Sequence, residues 1–349
     1  MDRLKTLPPL LECQDGSSVT DSTQWNAKRR GELLELLSTN IYGKVPPMDD
    51  VSVSWRVADE RCDEHTMACQ AKRKTVEITV TRKSISHSFP FVLFSPAGAT
   101  ESVPCFLFLC NRGIKDADPA RHFLSPFWPA EMIVSQGYAT GVIFTHDIAP
   151  DYDEGFTMGL HKLFGEYTGS GRPADLWGTI ATWGWAASRV LDYLETDTDI
   201  DASKVAVVGH SRGGKTALWA SAQDTRFALT VSSCAGNSGD ALARKSRGET
   251  IGDITTRFPY WFAKNYQQYA DNEEAMPFDQ HMLLALIAPR LLYTTAKTFD
   301  GWADPSGQFT SLVAASPAWE LYGEVGIQQE ELPKPEEVLH AGKIGHHYK

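Results

Sequence analysis

Residues 204–223, KVAVVGHSRGGKTALWASAQ, decide the fold of this protein. The apolar run over 204–208 predicts a strand, and the apolar spacing over 213–222 predicts a helix. Between them stands Gly209-His210-Ser211-Arg212-Gly213, the GxSxG pattern of a nucleophile elbow, in which a serine occupies a sharp strand-to-helix turn. The glycines leave room for that turn, and the backbone N–H of Arg212 would face a developing oxyanion. Ser211 is therefore the predicted nucleophile; the alternative is a glycine-rich turn with an incidental serine.

Outward from this stretch, strand and helix patterns alternate from about residue 90 to the end, which is typical of a parallel α/β sheet. Apolar runs predict strands at 91–94, 105–110, 138–144, 204–208, 227–232, 290–296 and 343–349. Helical spacing predicts helices at 25–37, 129–136, 175–194, 213–222, 279–287 and 309–322. Alternating residues at 51–57 and 76–80 predict an antiparallel edge, while 144–175 and 235–277 are predicted as insertions. The fold prediction is one α/β-hydrolase domain over residues 1–349, with a mostly parallel central sheet flanked by helices.

Composition and charge exclude several classes of protein. The 349 residues are 42% hydrophobic and carry a formal net charge of −11, so the chain is globular and a poor partner for nucleic acid. No apolar run approaches the ~20 residues that span a bilayer, and the first residues lack the apolar core of a signal peptide. None of the six cysteines has CxxC spacing, so zinc binding and thioredoxin-like redox chemistry are unsupported. Hydrolysis by a serine nucleophile needs no metal and no cofactor, and we expect neither. The sequence leaves open whether Cys62 and Cys69 form a disulfide in an oxidising compartment.

Two cations accompany the predicted nucleophile. One helical turn separates Ser211 from Lys215, so the ammonium can lie on the same side as the hydroxyl. Arg212 and Lys215 together, in an acidic protein, suggest a substrate that is anionic or rich in hydroxyls. The alternative is a lysine that is solvated at a helix start or paired with an acid.

A serine hydrolase also needs a base, an acid that orients it, and a second oxyanion donor. Two carboxylates follow the predicted strand 290–296, namely Asp300 and Asp304. Asp304 better suits a turn, because a proline follows it directly. The second oxyanion donor is expected in the loop after strand 105–110, at Asn111 or Arg112.

Several rare segments in a fixed order resemble one known family. They are WNAKRRGELLELLSTNIYGKVPP (25–47), GTIATWGWAASRVLDYLETD (178–197), GHSRGGKTALWA (209–220), RGETI (247–251), PFDQHMLLALIAPR (277–290) and DGWADPSGQF (300–309). With these segments the chain resembles the glucuronoyl esterases of carbohydrate esterase family 15, in particular the bacterial branch with its acetyl-xylan-esterase-like relatives.

The resemblance implies a reaction and roles for named residues. Family enzymes cleave the ester between 4-O-methylglucuronic acid on xylan and an alcohol of lignin. Ser211 matches the nucleophile and Arg212 the arginine that helps to stabilise the oxyanion. Lys215 matches a lysine that binds uronate hydroxyls, and Glu249 and Trp302 match positions that hold the sugar. The implied partner is a glucuronate-containing polysaccharide or small ester, with no nucleic acid and no membrane, and the implied location is secreted or periplasmic.

The chain departs from the family pattern at the acid and at the base. Many members carry the acid in the segment that corresponds to SSCAGNSG, where this chain has Cys234. Some bacterial relatives use an aspartate after the later strand instead, and Asp300 falls there. The family histidine follows the last strand, whereas His346 and His347 lie within the predicted strand 343–349. We therefore expect the matching histidine beyond Lys349, in a domain truncated at its C-terminus; truncation at its N-terminus is an open alternative.

That expectation leaves two alternatives to glucuronoyl ester hydrolysis. One is a xylan acetylesterase; the other is an inactive carbohydrate-binding fragment without a base. Other histidines are weaker candidates for the base: His210 should point away from Ser211, His281 should be structural, and His146 and His161 lie in predicted loops. Without the final helix of the fold, apolar surface of the sheet should also stay exposed.

Overall fold

The computed structural model describes residues 3–349, and within them ten strands form one sheet. The strands are β1 (Val51–Arg61), β2 (Ala71–Arg82), β3 (Ile85–Pro96), β4 (Val103–Cys110), β5 (Ala139–Phe144), β6 (Ile200–His210), β7 (Leu229–Ser233), β8 (Leu291–Ala296), β9 (Glu337–Ala341) and β10 (Ile344–Tyr348). The α-helices are α1 (Ser22–Gln24), α2 (Arg30–Leu37), α3 (Ala130–Ser135), α4 (Thr145–Ile148), α5 (Thr179–Leu194), α6 (Arg212–Gln223), α7 (Ile251–Arg257), α8 (Gln280–Ala285), α9 (Pro305–Ala315) and α10 (Pro317–Glu320). None of these helices has the length and apolar character that crossing a lipid bilayer requires.

The sheet is parallel in its centre and antiparallel at both edges. Its order is β1-β2-β3-β5-β4-β6-β7-β8-β10-β9. The strands from β5 to β10 in this order run parallel, whereas β1, β2 and β3 form an antiparallel meander and β9 pairs antiparallel with β10. The predicted fold class is thus confirmed. Two details differ: strand 91–94 belongs to the antiparallel β3, and the sequence did not predict β9.

Helices cover most of one face of the sheet. The apolar positions that predict the helix at 175–194 are buried in α5, among them Trp183 and Leu191, and α5 packs against α6. The helix begins later than predicted, at Thr179. The backbone of Gly178 approaches Trp261 so closely that a Cβ on Gly178 would collide with the Trp261 carbonyl oxygen. This contact ties the predicted insertion 235–277 to the start of α5.

The other face carries less cover. Trp128 and the helix α3 pack on β3, β4 and β5 there. Further along this face, Val231, Leu291 and Tyr293 line a solvent-facing depression of about 360 Å³, and Leu291 is exposed. The expected exposure of apolar sheet surface is therefore present in residues 3–349.

The carboxyl ends of the parallel strands all lie at the same end of the sheet. The loops after β4, β5, β6, β7 and β8 leave from this end, which is where α/β sheets hold their ligands. The Ser211 turn, both predicted insertions and the loop with Asp300 and Asp304 therefore meet there.

Candidate active site

Ser211 lies on a strained turn between β6 and α6. Its φ is 55° and its ψ is −124°, a conformation that residues with a side chain rarely adopt. The Ser211 N–H donates to the carbonyl oxygen of Ser233 at 2.8 Å, which ties the turn to β7. A Cβ on Gly209 would collide with the carbonyl oxygen of Gly213, and one on Gly213 would lie 2.9 Å from the carbonyl oxygen of Leu109. Both glycines of the GxSxG pattern are therefore sterically required.

One cavity brings together all six residues that the sequence predicts for the site. The cavity has a volume of about 140 Å³ and lies over the elbow. Its lining includes Ser211, Arg212, Lys215, Glu249, Asp300 and Trp302. Three separate segments of the chain contribute these side chains, so the fold itself assembles a nucleophile, two cations, two carboxylates and an aromatic ring around one space.

Lys215 and Glu249 form a buried ion pair in this cavity. Lys215 Nζ lies 3.5 Å from Glu249 Oε2, and both residues are at most 5% exposed. Nζ also donates to the backbone oxygens of Ala235, at 2.6 Å, and of Asn237. Burial lowers the pKa of Lys215, and the Glu249 charge opposes that shift. Lys215 is therefore not a solvated lysine, and the acid with which it pairs lines the same cavity, so this pairing does not oppose a role in substrate binding.

The two candidate acids occupy different places. Asp300 lines the cavity with Ser211, is half-buried, and uses Oδ1 to accept the Ala303 N–H at 3.2 Å. Within residues 3–349 its Oδ2 accepts no hydrogen bond. Asp304 lies outside the cavity lining, buried, where it pairs with Arg3 at 2.8 Å and caps α9. The turn interpretation of Asp304 is confirmed, and of the two carboxylates only Asp300 shares the cavity with Ser211.

Comparison with known proteins, like the geometry around Ser211, points to a serine esterase. The sequence profile described as "Glucuronyl esterase, fungi" matches residues 131–323. Carbohydrate esterase MZ0003, from an unknown prokaryotic organism, is 37% identical over 98% of this chain and 84% of its own length. The structure of a glucuronoyl esterase from Solibacter usitatus is 35% identical and superposes with a TM-score of 0.90, over 98% of this chain and 92% of that one. A promiscuous carbohydrate esterase family 15 enzyme from a marine bacterial metagenome is 36% identical, with a TM-score of 0.88 over 98% and 91% of the two chains.

The chain belongs to the glucuronoyl esterases of carbohydrate esterase family 15. It is a carboxylic ester hydrolase, and neither the acetylesterase nor the inactive fragment is favoured by these relatives.

Cys234 occupies the position at which the sequence resemblance would place the acid of many family esterases. It lines the cavity, has a φ of 50° and donates its N–H to the carbonyl oxygen of Thr295 at 2.8 Å. Burial raises the pKa of its thiol to about 11. A protonated thiol cannot hold an imidazolium, so Cys234 cannot take the role of the acid.

No histidine in residues 3–349 forms a hydrogen bond with the Ser211 hydroxyl. His346 and His347 lie on β10, as predicted, and the buried His346 ring shares a hydrogen bond of 2.8 Å with a threonine hydroxyl of β8. His210 does line the cavity, but its Nδ1 lies 3.3 Å from Ser233 Oγ. Burial lowers the pKa of both His210 and His346 to about 4. Neither ring is placed as the base of a triad.

The remaining candidate histidines have structural partners. His281 is buried, and its Nε2 lies 3.1 Å from a backbone oxygen of the N-terminal segment. His161 is buried between Glu154, at 3.1 Å, and Thr182, at 2.9 Å. His146 lies beside its neighbouring aspartate at 3.5 Å. The structural interpretation of His281 agrees with these contacts.

The residues predicted to stabilise the oxyanion differ in where they lie relative to the elbow. Arg212 follows Ser211 at the first turn of α6 and lines the cavity. Asn111 lies against the elbow, since a Cβ on Gly213 would be 3.5 Å from its buried Oδ1. The Arg112 guanidinium instead covers the ring of Phe127, 4.1 Å from its centroid. Of the two candidates for the second donor, Asn111 is therefore the nearer to Gly213.

Two carboxylates that contact residues in or next to the cavity lining were not predicted from the sequence. Asp151 forms an ion pair with Arg212. Asp240 lies wholly buried after β7 and accepts from Ser232, at 2.9 Å, and from Gln308, at 2.6 Å. Burial raises the pKa of Asp240. Both aspartates follow carboxyl ends of parallel strands, a signal that could have marked them.

Proposed function

We propose that this esterase hydrolyses 4-O-methylglucuronoyl esters that join xylan to alcohols of lignin, through an acyl-enzyme at Ser211. The observation that carries the proposal is the buried ion pair of Lys215 and Glu249 in the same cavity as the nucleophile. A buried cation and a buried carboxylate can donate to and accept from the hydroxyls of one sugar. Relatives of this chain include the 4-O-methyl-glucuronoyl methylesterase 1 of Wolfiporia cocos, which is 30% identical over 91% of this chain and 72% of its own length.

The reaction would proceed in two balanced steps. The Ser211 oxygen attacks the ester carbonyl while the base removes its proton; the base then gives that proton to the leaving alcohol, and a serine ester of the uronate remains. Water repeats the sequence on that ester and releases the free acid and Ser211. The Arg212 N–H and guanidinium would stabilise the negative oxygen of each tetrahedral intermediate, and Asp300 would hold the protonated base.

The sugar would lie in the part of the cavity that Lys215, Glu249 and Trp302 line. Lys215 and Glu249 would bind its hydroxyls, while the half-exposed indole of Trp302 offers a ring face. The Arg257 guanidinium lies 4.8 Å from the centroid of the Trp302 ring and restrains it. Export of the protein, to the periplasm or outside the cell, stays a prediction that rests on the family.

Changing Lys215 to Met or Glu249 to Gln should impair glucuronate esters far more than simple acetates. A hydrogen bond to a charged group contributes roughly 1.5–3 kcal/mol, so kcat/KM for benzyl glucuronate should fall about ten- to hundredfold further than for 4-nitrophenyl acetate. Steady-state kinetics on both substrates measures the difference. Each change leaves a buried charge unpaired, so thermal unfolding is followed in parallel.

The exposed Lys264 lies outside the cavity lining and supplies a matched control, since Lys264→Met should alter neither substrate. Equal losses on both substrates would assign Lys215 and Glu249 to structure alone. Faster release of acetate from acetylated xylan than cleavage of benzyl glucuronate would favour the acetylesterase alternative.

A polypeptide limited to residues 1–349 should hydrolyse esters slowly. No described histidine forms a hydrogen bond with the Ser211 hydroxyl, and an oxyanion hole with binding groups alone retains about 10³–10⁴ over water. Added imidazole should accelerate benzyl glucuronate hydrolysis, because a free base can then take the serine proton. The Ser211→Ala form of the same polypeptide separates this effect from hydrolysis by imidazole itself. Turnover above about 1 per second without imidazole, an ordinary enzymatic rate, would contradict the prediction.

A further inference from the structure

The geometry points to Asp151 as a positioning residue that fixes the Arg212 guanidinium beside the nucleophile. This inference rests on the proposed function and extends it to a residue in the loop after β5. The sequence predicts 144–175 as an insertion without a chemical role, and Asp151 lies 61 positions before Arg212.

Three side chains converge on the Asp151 carboxylate. Its Oδ2 forms the ion pair with Arg212 Nη1, and its Oδ1 accepts the Trp261 indole N–H at 2.7 Å. The Tyr260 hydroxyl lies 2.8 Å from the Asp151 backbone oxygen and 3.3 Å from Oδ1. The Asp151 side chain is 18% exposed. Both carboxylate oxygens are therefore engaged, and the two donors besides Arg212 come from the second predicted insertion.

Aromatic rings restrain the same guanidinium from another direction. The central carbon of the guanidinium lies 5.1 Å from the centroid of the Trp261 ring and 5.9 Å from that of Phe258. These two rings stack on each other at 3.8 Å with an angle of 5° between their planes. Trp261 thus contacts both members of the ion pair, through its N–H and through its ring. A long side chain that would otherwise sample many rotamers is held in one place.

The restrained arginine still has donors to offer. Arg212 lines the cavity, and within the described residues its buried Nε has no hydrogen-bond partner. Asp151 therefore occupies one edge of the guanidinium and leaves N–H groups for an oxygen of the substrate. Donors that are fixed before the reaction need no reorganisation when the oxyanion forms, which is what gives such groups their effect on rate.

A positioning role and a merely neutralising role predict opposite results for Asp151→Asn. If Asp151 only cancelled positive charge, its removal would strengthen the field of Arg212 on the oxyanion and raise kcat. If Asp151 positions Arg212, kcat should fall while KM changes little, because the contact acts in the transition state. Asparagine keeps the shape of the side chain and an acceptor for the Trp261 indole, so the change removes chiefly the charge.

The test is a double-mutant cycle on the protein expressed from its whole gene. For Asp151→Asn we expect kcat on benzyl glucuronate to fall roughly ten- to hundredfold, with KM within about threefold; an oxyanion donor itself is worth about 10²–10³. In an Arg212→Met background the same change should cost less than about twofold, since the group to be positioned is gone. Asp153→Asn, an exposed neighbour, should leave both parameters unchanged.

Other outcomes have defined meanings. An unchanged or raised kcat in Asp151→Asn, or the same fold-loss with and without Arg212, would overturn the positioning role. Full activity in Ser211→Ala would instead overturn the proposed function, so the two failures are distinguishable. If Asp151→Asn does not fold, Trp261→Phe removes the indole N–H and keeps a ring. That variant should lower kcat in the wild-type background and leave it unchanged in the Arg212→Met background; any other result counts against the inference.

Discussion

Replacing Ser211 with alanine is expected to abolish ester hydrolysis, with a loss in kcat on the order of 10⁶. The hydroxyl oxygen is the atom that forms the bond to the acyl group in the proposed reaction, and alanine has no atom that can replace it. The effect should be the same on benzyl glucuronate and on 4-nitrophenyl acetate, because both would pass through the serine ester. Initial rates on the two substrates, with the protein expressed from its whole gene, measure it.

Folding should survive this change. Ser211 adopts its strained backbone because β6, β7 and the helix α6 enforce the turn, and alanine has the same Cβ. The temperature of unfolding should therefore stay within a few degrees of the wild type. Ser203→Ala, at the exposed opposite end of β6, is the matched control and should retain full activity. Activity within a factor of ten of wild type in Ser211→Ala would remove Ser211 from the mechanism.

The parallel part of the fold was predictable because its signals are local. The strand, tight turn and helix around Ser211 are encoded within twenty consecutive residues, and α5 and α6 show their buried faces as helical spacing. Whether a strand runs parallel or antiparallel to its neighbours is not encoded in its own residues. The apolar run 91–94 reports burial on both faces of a strand, which β3 satisfies as an antiparallel strand under α3 and Trp128. The residues of this run would look the same in a buried parallel strand.

The site residues could be predicted where a motif or a regular spacing in the sequence marks them. They could not be predicted where they are defined by contacts between residues far apart in the sequence. Ser211, Lys215 and Asp300 were predicted from motif, helical spacing or position after a strand, and they line one cavity. Asp151 and Asp240 belong to segments without periodicity, so the sequence does not show which cation or hydroxyl each one meets. Both aspartates lie on the predicted insertions, and the packing of these insertions, as in the contact of Gly178 with Trp261, brings them to their partners.

Asp300→Asn should lower kcat by up to about 10⁴, whereas Asp304→Asn should mainly lower stability. Asparagine at position 300 can still accept the Ala303 N–H, so the local turn should persist. It would lose the negative charge that favours a protonated histidine, and its amide disfavours the tautomer that a base requires. The loss should appear in kcat on every ester, because the acid acts on the base and not on the sugar.

Asp304→Asn supplies the matched comparison, since the same chemical change is made four residues away. Asp304 is 3% exposed, pairs with Arg3 and accepts the Gly307 N–H at 3.0 Å as the cap of α9. Asparagine tolerates the positive φ of this residue and can keep the cap, but the buried guanidinium would lose its counter-charge. We expect about 1–3 kcal/mol less stability in denaturant unfolding, with kcat within a few-fold of wild type. The reverse pattern, with Asp304→Asn nearly inactive and Asp300→Asn fully active, would make Asp304 the acid despite its place outside the cavity lining. Comparable losses of kcat from both changes, in folded proteins, would mean that the loop after β8 acts through its shape and that neither carboxylate orients the base.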